Sequence, residues 1–292
     1  MARWLAMFLL TFCGAAFAQK PDIVEVVEIS GEIHAGTAAN IAQIVDGIND
    51  NGKVKAVVLV LDTPGGSVTA SSAIYEDLSR LKVPVVVWCQ SLCASGGVYA
   101  AMSPSVKFIA VRSETIGGSV GVVMQSMRFH RLLAWAKIDP KTYRSGHLKD
   151  AGNPTRPIEE AEDKYLQDIV GALAEKFYAI VGKSRKITAW EEVKTAKIFI
   201  GQDIVRVGLA DAVMSKAQVV AKAKELSGSK TVFTREELKK MSSAAHGGES
   251  SYSLPLPQPN HGFGDVPWLI ETAKEVMGGQ SVKFAFRLPY SF

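Results

Sequence analysis

Cysteine is scarce in this chain: three residues in 292, at positions 13, 89 and 93. That excludes a disulfide-built scaffold and the paired cysteine clusters of a structural zinc site. No charge of one sign dominates. Lysine and arginine number 33 against 29 acidic residues, a net charge of +4, too little for nucleic acid to be the main partner. The five histidines (His34, His130, His147, His246 and His261) show no metal-ligand spacing, so neither a metal nor an organic cofactor is expected. No internal repeat occurs, and the 25 glycines follow no period of three, which excludes a collagen-like chain. Beyond the N-terminus no run of 18 apolar residues exists to cross a bilayer. What is present is 47% hydrophobic and 21% charged residues, the composition of an ordinary folded protein with a sizeable core.

The first residues read as an export signal. Arg3 is followed by an apolar run from Trp4 to about Gly14 and then by Ala16-Phe17-Ala18, a pattern that predicts cleavage after Ala18. An uncleaved anchor is the alternative, although the run is short for a span of about 30 Å. Bulky Phe12 argues against lipid attachment at Cys13. The expected organisation is a signal peptide over 1–18, one domain over 19–240, and a linker with a C-terminal tail over 241–292. Cys89 and Cys93 are expected to be small buried hydrophobes, too far apart on an extended segment for a disulfide.

Strands and helices alternate along the domain. Residues 22–29 read as a strand and 37–49 as a helix with Ile41, Ile44, Val45 and Ile48 on one stripe. Strands follow at 56–61, 83–88 and 106–110, with helices at 69–81 and 96–102 and a loop at 91–95. A glycine-rich turn at 117–121 leads into a strand at 122–125, then a helix at 128–137 and a polar loop at 144–157. Helices over 158–181 and 189–196, a turn at 208–211, and charged helices over 213–226 and 235–240 complete the domain. From 241 to 265 the composition is that of a linker. A short helix at 267–276 and an extended piece at 282–292 follow. Continuous apolar strands between helices predict an α/β fold with a largely parallel sheet buried on both faces.

Three local patterns carry chemistry. Asp62-Thr63-Pro64-Gly65-Gly66-Ser67 follows a buried strand, where two glycines bend the backbone and expose N–H groups able to stabilise an oxyanion. A plain strand-to-helix turn is the simpler alternative. Cys93-Ala94-Ser95-Gly96-Gly97 places a serine between small residues where strand gives way to helix, either as an exposed nucleophile or as an ordinary N-cap. Ser145-Gly146-His147-Leu148-Lys149-Asp150 offers a lysine, which is a general base only when a dry environment leaves it neutral, and is otherwise a solvated surface residue.

Taken in order, these residues resemble the signal peptide peptidase A family of serine proteases, whose fold is that of the ClpP and crotonase superfamily. The resemblance runs from about residue 22 to 215. It includes Gly118-Ser119-Val120-Gly121, Lys149-Asp150 with Pro154 and Arg156 after them, Gly201, and the Gly208-Leu209-Ala210-Asp211 turn. It implies a ClpP/crotonase-like spiral of ββα units with a C-terminal helical and linker extension. It also implies Ser95 as nucleophile, Lys149 as general base, Ser119 orienting the lysine, and the backbone N–H groups of Gly66 and Gly96 as oxyanion donors. The family assembles into rings or domes that complete the dyad across subunits, so a homo-oligomer is expected. Substrates would be extended apolar peptides such as remnant signal peptides or misfolded membrane-protein fragments, met in the periplasm or at the outer face of the inner membrane, with a possible membrane association. One departure is Val98, where the family usually has an aromatic residue directly after the two glycines; Tyr99 follows it.

Other readings compete with this one. Cys93 with His147 would be a thiol pair, and Lys137, Lys141, Arg144, His147 and Lys149 an anion-binding patch. Ser126 and Ser145 lack a glycine-flanked position at the start of a helix. Phe284, Phe286, Tyr290 and Phe292 would form a docking strand or a membrane-surface contact. A crotonase-type acyl-CoA enzyme and a catalytically inactive scaffold or quality-control adaptor are the alternative functions.

Overall fold

The computed structural model describes residues 21–229 and 232–245. The expected export signal, most of the expected linker, and the expected helix and extended tail after it lie outside the described residues. Among the described residues eight strands form one sheet: β1 (Asp22–Ser30), β2 (Val54–Thr63), β3 (Val85–Ala94), β4 (Val106–Val111), β5 (Ile116–Gly118), β6 (Ile198–Ile200), β7 (Ala212–Val213) and β8 (Val232–Thr234). The order is β6-β5-β3-β2-β1-β8, with β4 pairing β3 and β7. Every pairing is parallel except β5 with β6. This is the largely parallel α/β architecture that the apolar runs predict.

Strand β2 shows why the sheet is buried on both faces. Val57, Leu59 and Leu61 enter one apolar cluster, while Ala56, Val58 and Val60 enter a second on the opposite face. The first face is covered by α1 (Ala35–Asp50), α2 (Val68–Ser79) and α3 (Gly96–Ala101), and the second by α8 (Lys216–Leu226) through Val219 and Ala223. The predicted stripe on α1 holds: Ile41, Val45 and Ile48 are buried and Ile44 packs against them. His34 caps this helix, its Nδ1 accepting from Gly36 N–H at 3.0 Å.

Strand β3 departs from the expected pattern. It runs on to Ala94 where a loop at 91–95 was expected. Its first half pairs β4 and its last three residues pair β5, so it changes partners midway. The register to β2 passes from Leu61↔Cys89 to Thr63↔Cys93, so four residues of β3 span two of β2. The excess is held by side chains. Leu92 N–H donates to Asp62 Oδ1 at 2.9 Å, and Thr115 Oγ1 donates to the Cys89 carbonyl at 2.9 Å. The irregularity corrects the expectation that extended spacing separates the cysteines, since a two-residue span is only about 7 Å. Both thiols are buried and free. A hydrogen bond with Cys93, reinforced by burial, pushes the Cys89 thiol well above its ordinary range.

Other elements differ in extent. The short strands β5 and β8 were not expected, and the strand predicted at 122–125 has no ladder partner. Helix α4 covers only His130–Trp135 and α5 covers Glu160–Ser184. The remaining short helices are α6 (Trp190–Val193), α7 (Gln202–Arg206) and α9 (Arg235–Ala245). Between Gly121 and Lys149 the chain leaves its large apolar side chains in solvent: Val123 is 88% exposed, Trp135 81% and Tyr143 84%. No helix among the described residues is long and apolar enough to cross a membrane.

Candidate active site

Parallel strands deliver three loops to one place, the carboxyl ends of β2, β3 and β5. The loop after β2 is set by Thr63, which is fully buried. Its hydroxyl donates to the Gly31 carbonyl at 2.5 Å and accepts Gly65 N–H at 3.1 Å. Gly65 then passes so close to the next loop that a Cβ there would lie 2.6 Å from Gly96 N and 2.7 Å from Ser95 Cβ. Only glycine permits that approach, and its φ of +94° suits glycine as well.

Gly66 is bridged to Ile33 in parallel fashion: Ile33 N–H donates to Gly65 C=O at 2.7 Å and Ser67 N–H to Ile33 C=O at 2.8 Å. This pairing turns Gly66 N–H away from Ile33, and it has no acceptor among the described residues. Gly96 N–H is the first of α3 and is likewise without an acceptor there. Two unoccupied amides therefore flank Ser95.

Ser95 holds φ at +51° and ψ at −117°, a conformation that costs a non-glycine residue about 1–3 kcal/mol. It is held there by its N–H donating to Gly118 C=O at 2.9 Å and its C=O accepting Tyr99 N–H at 3.0 Å. Ser95 occupies the N-cap position of α3, but its hydroxyl makes no capping bond, so it does not do the work of an ordinary N-cap. The side chain lines a narrow cleft of about 30 Å³ whose apolar walls include Val68, Tyr99, Val122, Leu173 and Phe177. Ser119 follows the β5 residue that pairs Ala94, has φ of +49°, and donates its N–H to Lys197 C=O at 3.1 Å. Ser95, Ser119, Gly66 and Gly96 are thus brought together.

Lys149 is not joined to them within one chain. It sits exposed in a turn, its N–H donating to Gly146 C=O at 3.1 Å, and its ammonium makes no hydrogen bond or ion pair among the described residues. It does not line the Ser95 cleft. The residue beside it is firmly held: Asp150 accepts from Arg144 at 2.6 Å and Arg156 at 2.9 Å. Those guanidiniums, Arg156 first, hold its carboxyl far below the usual carboxylate range.

The thiol-pair reading fails, since Cys93 is buried in the core while His147 is exposed and pairs with Glu159 at 3.3 Å. No group of acidic, histidine and cysteine residues among those described could hold a metal ion. A concavity of about 800 Å³ between β1, α8 and α9 is not lined by Ser95. Among its charged side chains Arg235 pairs with Glu25 and Lys224 with Glu237, both at 2.7 Å. Sequence reasoning missed the positioning roles of Asp62, Thr63 and Thr115. The first two stood inside a motif already singled out, whereas nothing local marked Thr115.

A model of peptidase family S49 matches residues 77–230. The chain belongs to that family. A Methanocaldococcus jannaschii chain described as a protease is 33% identical over 187 residues, 63% of this chain and 60% of its own length. Protease 4 of Haemophilus influenzae is 28% identical over 218 residues, 70% of this chain and 35% of that one. The chloroplastic serine protease SPPA of Arabidopsis thaliana is 28% identical over 195 residues, 64% of this chain and 28% of that one. This chain therefore spans less than two thirds of the length of these relatives. Among solved structures, a membrane-bound stomatin-specific protease, 1510-N, is 19% identical with a TM-score of 0.45, covering 70% of this chain and 85% of that one. A ClpP1 variant from Listeria monocytogenes is 11% identical with a TM-score of 0.47, covering 67% and 94%. The S49 match bears out the resemblance read from the motifs.

Proposed function

We propose that this chain is an exported serine endopeptidase. The Ser95 hydroxyl attacks the scissile carbonyl, a neutral Lys149 amine takes the hydroxyl proton, and the same amine returns a proton to the leaving nitrogen. The oxygen that becomes negative is received by Gly66 N–H and Gly96 N–H. One such donor is typically worth about 2.7–4 kcal/mol of barrier. Ser119 orients the lysine. The observation that carries this reading is a strained, uncapped Ser95 flanked by two amides without acceptors. A chain pays for such a conformation where the side chain must be presented rather than packed.

Lys149 does not line the Ser95 cleft and makes no hydrogen bond to Ser95, which supports a base supplied by a neighbouring copy. The apolar side chains exposed between Gly121 and Lys149 supply the surface on which copies meet. The substrate is an extended apolar peptide. Its side chain enters the cleft at Tyr99 and Phe177, and its backbone pairs with the segment after Ser119, which has no ladder partner. Remnant signal peptides and fragments of misfolded membrane proteins have this chemistry.

Variants Ser95→Ala and Lys149→Ala test the reading in an assay of an apolar peptide. Each is expected to abolish turnover while circular dichroism stays that of the parent. Near-normal turnover in Lys149→Ala overturns the assignment of the base, and in Ser95→Ala that of the nucleophile.

A further inference from the structure

The turn bearing Lys149 is gripped by an arginine whose hydrogen-bonding capacity is fully used. Arg156 Nε donates to Asp150 Oδ2 at 2.9 Å, and Nη2 donates to Asp150 Oδ1 at 3.1 Å and to its carbonyl at 3.3 Å. Nη1 donates to Glu162 Oε2 at 2.7 Å and to the Pro157 carbonyl at 3.1 Å. All five N–H donors of a guanidinium are thereby engaged.

Glu162 is the unusual member. It stands in the first turn of α5, where its neighbours Ala161, Asp163, Lys164 and Tyr165 are exposed, yet it is only 2% exposed itself. Its second oxygen accepts Gly152 N–H at 2.6 Å. A buried carboxylate is tolerated only when paired and hydrogen-bonded. Here every partner belongs to residues 150–162 rather than to the core. The grip therefore acts on the turn, holding it at Asp150 through Arg156 and at Gly152 through Glu162. The Lys149 ammonium makes no hydrogen bond or ion pair of its own among the described residues.

We infer that Arg156 and Glu162 are positioning residues for Lys149: they anchor its turn to the first turn of α5, so that the amine is offered in one direction to the serine of another copy. The inference rests on the proposed role of Lys149.

The test compares Arg156→Lys and Glu162→Gln with the parent, as full chains, by steady-state kinetics and by amide hydrogen exchange over residues 149–153. Arg156→Lys keeps the charge but cannot hold both carboxylates. Each variant is expected to lower kcat about tenfold, to leave KM within twofold, and to quicken exchange at 149–153 about tenfold while β2 exchanges as before. The pairing of a kcat loss with an unchanged KM separates positioning from general loosening, which would move both. Unchanged exchange at 149–153 overturns the anchor, and this readout does not depend on activity. Faster exchange with parental kcat overturns the positioning role. If Lys149→Ala itself stays active, the base assignment falls instead, and the two failures are distinguishable.

Discussion

At the scale of single residues, Ser95 trades stability for presentation. Its φ of +51° is a glycine conformation occupied by serine. Ser95→Gly should therefore raise folding stability by about 1 kcal/mol while removing all turnover. Chemical denaturation checks this, and a destabilised glycine variant would show that the conformation is not strained. Ser95, Gly66 and Gly96 were legible in the sequence because glycines and small residues at strand ends leave a local signature. Thr63 and Arg156 were not legible in their roles. The hydroxyl of Thr63 reaches the Gly31 carbonyl 32 positions earlier in the chain. Arg156 stood in a matched motif, but its work depends on Glu162 being buried. Patterns record residue types, whereas these roles depend on where distant segments fold back.

At the scale of elements, the alternation of apolar strands and helices foretold the parallel sheet. Long strands bury whole runs, and such runs are visible. Strands β5 and β8 have three residues each and follow no run, so pairing alone defines them. The change of partner in β3 was hidden for the same reason, since Asp62 and Thr115 hold it from outside the strand. Between α6 and α7 the packing is tied by charge. Glu192 of α6 accepts from Arg206 at 3.0 Å and Lys197 at 2.8 Å. These cations, Arg206 first, hold its carboxyl down at about 2. A carboxyl lowered in the folded state stabilises above its ordinary range, near 4.3, and that contribution is lost as pH falls toward 2. The melting temperature of the parent should therefore drop more steeply between about pH 4.5 and 2 than that of Glu192→Gln. Parallel curves for the two proteins would contradict the linkage.

At the scale of the whole molecule, one chain brings together Ser95, Ser119 and the amides of Gly66 and Gly96, the proposed nucleophile, orienting serine and oxyanion donors, and leaves Lys149, the proposed base, exposed and outside their cleft. The same segment that displays Lys149 displays Val123, Trp135 and Tyr143 to solvent. An apolar stretch of that kind is a contact surface waiting for its counterpart. Under the proposed function, its position in sequence, between the β5 turn and α5, would link assembly to chemistry: copies meeting through it would carry Lys149 with them. The measurement that bears most directly on this account is co-expression of Ser95→Ala and Lys149→Ala chains. Each is inactive alone, and in a mixed assembly the first still supplies Lys149 while the second still supplies Ser95. The account predicts that the mixture regains a substantial fraction of parental turnover. A mixture that assembles to parental size and remains inactive would contradict it.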